Sequence, residues 1–109
     1  MQVIFLPEVL GYLENLSVIL YEKEYFSYKK TALKYVMELY EDIVANLSVH
    51  RAKPAPKYFD RYGKDMEYAV FKKNKHTSWY VFFRVYRKNG EEIYQVRYIT
   101  NNHVMAQYL

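Results

Sequence analysis

The sequence predicts an α+β domain: a short strand, two antiparallel helices, a loop, and a three-stranded antiparallel meander whose one face the helices cover. Three observations carry this expectation. Apolar residues recur at helical spacing in two successive stretches before residue 50, runs rich in Tyr, Val, Phe and Ile fill the chain after residue 66, and Asn89-Gly90 separates the last two runs. That dipeptide between alternating segments is a strong short-range hairpin signal. At 109 residues, the chain has room for one domain, spanning 1–109.

In chain order, Val3 to Leu6 form an apolar run ended by Pro7, as expected of a buried strand with proline at the first position of a helix. Val9, Leu10, Leu13, Leu16 and Leu20 then recur every three or four residues and predict an amphipathic helix to about Tyr21. Glu24-Tyr25-Phe26 is the link, Ser27 offers an N-cap, and Ala32, Val36, Leu39, Ile43 and Leu47 make a second, longer stripe. From His50 to Lys64 periodicity fails among Pro54, Pro56 and Gly63; this reads as a long loop, functional or folded down by Tyr58, Phe59 and Tyr62. Three strands are expected at 67–73, 78–87 and 92–100.

Composition narrows the function. There is no cysteine, so disulfides, thiolate zinc sites and thiol nucleophiles are excluded, in keeping with a reducing compartment. No signal peptide pattern or membrane-length apolar run is visible, which predicts a cytoplasmic chain without membrane contact. Residues 1–50 hold four lysines against seven acids, whereas 51–109 hold twelve Lys or Arg against five acids. That asymmetry suggests a surface for phosphate or for an acidic protein, or else ordinary solvated lysines in loops and turns.

A two-residue Asn89-Gly90 turn sets Lys88 opposite Glu91 and, by alternation, puts Tyr80, Phe82, Arg84, Tyr86, Ile93, Gln95, Arg97 and Ile99 on one face. The other face carries Trp79, Val81, Phe83, Val85, Tyr94, Val96 and Tyr98, with no charge among them, and is the one the helices should cover. Arg84 and Arg97 would then stand diagonally on the free face among Tyr80, Phe82 and Tyr86. Guanidinium forks for phosphate and flat rings for bases are what single-stranded nucleic acid needs; arginine stems packed over aromatics on a half-solvated sheet are the plainer explanation. Lys72, Lys73 and Lys75 add charge at a turn beside the hairpin. His50, His76 and His103 are spaced too irregularly for a metal site. His103 follows the last strand, where it could lie beside Arg97 with Tyr108 close behind and serve as general acid or base. No nucleophile elbow or glycine-rich phosphate loop is present, and no cofactor is expected.

Tyr68-Ala69-Val70-Phe71-Lys72, Thr77-Ser78-Trp79-Tyr80-Val81-Phe82-Phe83 and Val96-Arg97-Tyr98-Ile99-Thr100-Asn101-Asn102-His103, taken with the element order, resemble the RelE/ParE superfamily of toxins from bacterial type II toxin–antitoxin modules. The resemblance covers the whole chain. It implies a β-α-α-β-β-β fold with a four-stranded sheet, the amino-terminal strand beside the last, both helices on one side, and an acidic antitoxin as partner. RelE-like members are ribosome-dependent, metal-free mRNA endonucleases; by position, Arg84, Arg97, His103 and Tyr108 fall where their catalytic residues would lie. Lys72, Lys73 and Lys75 at the turn, with Tyr80, Phe82 and Tyr86 on the free face, are the expected RNA contacts. ParE-like members share the fold and poison DNA gyrase instead. A partner-binding module without toxicity is a third reading, since Tyr, Trp and Arg dominate binding hot spots.

Overall fold

Pro7 opens the first helix with its fixed φ and its missing N–H at a position that needs no donor, so the strand before it ends there. The computed structural model describes residues 1–105. In chain order it comprises β1 (Gln2–Phe5), α1 (Pro7–Glu22), α2 (Lys29–Asn46), β2 (Ala52–Pro54), β3 (Glu67–Lys72), β4 (Ser78–Lys88), β5 (Glu91–Asn101) and α3 (Asn102–Met105), with 3-10 turns at Leu47–Val49 and Lys57–Tyr62. No described helix is long and apolar enough to cross a membrane.

The sheet is five-stranded among the described residues, in the order β1-β5-β4-β3-β2. β1 lies parallel to β5, and every other pairing is antiparallel. The four-stranded expectation is corrected by β2, a three-residue edge strand whose Ala52, Lys53 and Pro54 pair with Ala69, Tyr68 and Glu67. Its brevity and its terminal proline hid it, because a proline is tolerated only at a sheet edge. Ser27 does not cap α2: the cap position is Tyr28, with no side-chain bond.

Both helices cover one face. Val9, Leu13 and Leu16 of α1 and Val36, Leu39 and Ile43 of α2, followed by Leu47, pack on Ala69, Phe71, Trp79, Val81, Phe83, Val96 and Ile99. Full burial of side chains of this size is worth roughly 1.5–3 kcal/mol each before entropy is counted, so this layer dominates stability. The single tryptophan, Trp79, is buried here and donates its indole N–H to the Tyr35 hydroxyl at 2.8 Å. The opposite face is not bare. The segment after β2 folds down as expected, and Phe59, wholly buried, packs with Met66 and Phe82 under Tyr58, Tyr62, Tyr68, Tyr80 and Tyr98.

The hairpin register holds from the turn to Phe83 and then slips. Asn89 and Gly90 both take positive φ (53° and 78°), as a two-residue turn matched to strand twist requires. Lys88 pairs with Glu91, Tyr86 with Ile93, Arg84 with Gln95 and Phe83 with Val96; beyond that, Phe82 pairs with Tyr98 and Tyr80 with Thr100. Arg97 is thus the extra residue of a β-bulge. One inserted residue flips the alternation, so Ile99 joins the helix-side core and Tyr98 crosses to the other face, the reverse of what unbroken alternation predicts. Phe82 keeps its expected face yet is fully buried, since the 57–62 turn covers it.

Candidate functional site: an arginine–tyrosine face and its hollow

The bulge aims Arg97 across the sheet face onto the 57–62 turn. Its Nε–H donates to the Tyr62 carbonyl at 3.0 Å, and its Nη1 donates to Gln95 Oε1 and, at 3.5 Å, to the Tyr86 hydroxyl. Gly63 makes the approach possible: its φ is +144°, and a Cβ there would stand 2.6 Å from Arg97 Nε. Arg84, one β4 position pair from Tyr86, holds its guanidinium over the Tyr86 ring, 5.3 Å from the centroid. Arg84 and Arg97 therefore meet at one tyrosine, as their shared face predicts, although Arg97 is fastened rather than free.

The 57–62 turn contributes a third guanidinium. Arg61 donates from Nε to the Tyr58 carbonyl and lies 3.9 Å from the Tyr58 ring centroid. Tyr62 stacks on Tyr98 with centroids 3.8 Å apart and planes 6° from parallel. Burial, and next the neighbouring Tyr62 hydroxyl, push the Tyr98 phenol up to about 12, so it remains a neutral hydroxyl at physiological pH.

Between this wall and the start of α1 lies a hollow of about 560 Å³, bounded by Arg61, Tyr62, Arg97 and Tyr98 on one side and by Glu8, Val9 and Tyr12 on the other. It is within the size range of small-ligand sites. Two arginines can bind a phosphate with paired N–H donors, the tyrosine rings offer a stacking surface, and Glu8 supplies an exposed carboxylate in the first turn of α1.

The remaining expected residues lie elsewhere. Tyr80 is half-buried and edge-on to Tyr68 at 6.1 Å, whereas Phe82 is fully buried beneath the 57–62 turn and is closed to stacking. Lys72, Lys73 and Lys75 are at the β3–β4 turn, with Lys73 drawn to the helix side, 5.2 Å from the Tyr35 ring centroid. His103 shares that end: its Nε2 is 3.2 Å from Thr77 Oγ1, and it lines a separate hollow of about 490 Å³ with Phe26, Tyr35 and Trp79. It does not lie beside Arg97. Tyr108 falls outside the described residues. His50 stacks on Phe71 at 3.8 Å as a packed side chain. No group of His, Cys, Asp or Glu among the described residues could hold a metal ion.

Sequence reasoning missed Glu8, Arg61, Tyr62 and Gly63 as members of one site. The Tyr58-Phe59-x-x-Tyr62 spacing marked a segment that folds down, but nothing in the sequence told which sheet face it would cover. No family model matches the chain, and comparison with curated proteins and with solved structures finds no match.

Proposed function

We propose that the chain is a toxin of the RelE/ParE kind that cleaves ribosome-bound mRNA, with the hollow between α1 and β5 as its active site. The observation that carries the reading is the convergence of Glu8, Arg61 and Arg97 on one cavity beside the stacked Tyr62–Tyr98 pair. The parallel β1 beside β5 and the two helices on one face agree with the architecture that the resemblance implies.

In this reading a nucleotide stacks against the tyrosine wall and its 3′-phosphate sits between Arg61 and Arg97. The Glu8 carboxylate takes the proton of the 2′-hydroxyl, whose oxygen attacks phosphorus; the 5′-oxygen leaves with a proton from water, giving a 2′,3′-cyclic phosphate and a free 5′-hydroxyl. The guanidinium groups face the charge that grows on the non-bridging oxygens, where preorganised donors count most. Arg84, held over the Tyr86 ring, extends the cationic surface along the strand that leads from the site. An acidic antitoxin would cover this face.

Incubating the chain with translating ribosomes and mapping message ends tests the proposal. Cleavage by the parent and its loss in a folded Glu8→Gln variant are the expected results. Growth arrest with intact messages and inhibited gyrase would assign the chain to the ParE-like reading, and an intact message with no effect on growth would make it a binding module.

A further inference from the structure

α2 carries a second apolar stripe that its own fold covers only in part, through the stacking of Tyr40 on Phe5 with ring centroids 5.1 Å apart. Leu33, Met37, Tyr40 and Val44 follow one another at steps of four, three and four residues and are 50%, 53%, 40% and 37% exposed. That spacing places them on one side of the helix, next to the inward stripe of Ala32, Val36, Leu39 and Ile43. Single exposed apolar residues are ordinary on a protein surface. Four in succession at the spacing of a helix-pairing seam are not.

The charges beside the stripe say what covers it. Lys29, Lys30 and Lys34 occupy the first half of α2, while Glu38, Glu41 and Asp42 occupy the second. This order opposes the helix dipole, with no acid in the first turn and no base in the last. A second helix of the same kind running the other way complements this arrangement, because each lysine half then faces an acidic half.

We propose that two copies of this chain associate through α2, antiparallel about a two-fold axis. Leu33 meets the partner's Val44 and Met37 meets the partner's Tyr40. Lys34 and Glu41 lie on the same flank of the seam, one heptad apart, so Lys34 faces the partner's Glu41 and the two-fold axis repeats the pair. Within one chain Lys34 reaches Glu38 at 3.9 Å, with both side chains exposed, and remains available to a partner. The stripe is about 17 Å long at the helical rise, so the contact is of the small, reversible class and depends on concentration. It lies on the helix side of the sheet, and each copy keeps its arginine face open.

Sedimentation velocity of the whole chain, from low to high micromolar concentration, tests the pairing, with circular dichroism verifying the fold of each variant. A monomer at the low end and a two-fold dimer at the high end are expected. Lys34→Glu and Glu41→Lys should each weaken the dimer roughly tenfold by setting like charges together twice. The Lys34→Glu/Glu41→Lys double variant should recover parental association, and Met37→Lys should abolish it. A chain that stays monomeric throughout, single reversals that change nothing, or a double reversal that recovers nothing would each overturn the proposal. So would a monomer whose stripe binds the helix of a different protein.

Discussion

The Nε–H of Arg97 donates to the Tyr62 carbonyl at 3.0 Å, which ties the bulge of β5 to the end of the 57–62 turn. A guanidinium that would otherwise wave in solvent is thereby part of the tertiary structure. Its removal has two consequences that separate cleanly in experiment.

Arg97→Ala leaves that half-buried carbonyl without its donor and should cost about 1–2 kcal/mol, against the near-neutral effect of an ordinary surface substitution. Arg97→Lys should not restore the loss, because an ammonium at the end of a longer stem cannot donate from the Nε position. Denaturant midpoints of the three proteins check this, and message cleavage on the same samples reports the catalytic part.

Gly63→Ala should destabilise by about 1–3 kcal/mol, since it places a side chain at φ +144° and pushes its Cβ into Arg97 Nε at 2.6 Å. The clash half of that cost disappears when Arg97 is already alanine. A double-mutant cycle should therefore be non-additive, the pair costing less than the sum of the two singles.

Tyr35→Phe removes the acceptor of the Trp79 indole N–H at 2.8 Å while leaving the ring that packs beside it. The buried donor is then unpaired, at about 1–2 kcal/mol. Trp79 is the only tryptophan, so intrinsic fluorescence reads the site directly: its emission should change in the folded variant, and urea titration should show the lower midpoint.

Burial first, and then the Tyr62 hydroxyl, raise the Tyr98 phenol from 10.0 to about 12 in the folded chain. A raised folded value means that its contribution to stability is complete below pH 10 and is lost as pH climbs through 12. Stability of the parent should fall across that window, and Tyr98→Phe should flatten the fall. Denaturant midpoints measured at stepped alkaline pH decide it; equal slopes would show that Tyr98 ionises as freely as in the unfolded chain.

The helices and the long strands were legible because their signals are local. The stripe from Ala32 to Leu47 marks the inner side of α2 whatever lies above it, and Asn89-Gly90 fixes its turn by backbone chemistry alone. Face assignment was legible only as far as alternation persists. Nothing in the side chains of Val96, Arg97 and Tyr98 announces a bulge, and one unpaired residue there exchanged Tyr98 and Ile99 between faces. The second sheet face read as open because nothing in the spacing of Tyr58, Phe59 and Tyr62 tells which face their segment folds down upon. For the same reason Glu8 and Arg61, more than fifty residues apart, could not be brought to one cavity by spacing. Arg84, Arg97 and Tyr86 were found together because they sit in the part of the hairpin where the simple register is true.

The sheet separates two layers of unequal depth: helices and seven buried apolar sheet side chains on one side, and a small apolar cluster of Phe59, Met66 and Phe82 on the other. The thin layer has less apolar area to lose and an edge strand of three residues to hold it, so it can open in a partial unfolding event that leaves the thick layer closed. Such an opening carries the Tyr62 carbonyl away from Arg97 and scatters Arg61. The charge geometry of the face is then a population, set by how often the 52–66 segment is closed. Amide exchange would see that segment as a cooperative unit of lower protection than α2, and a ligand that bridges Arg61 and Arg97 would slow its exchange.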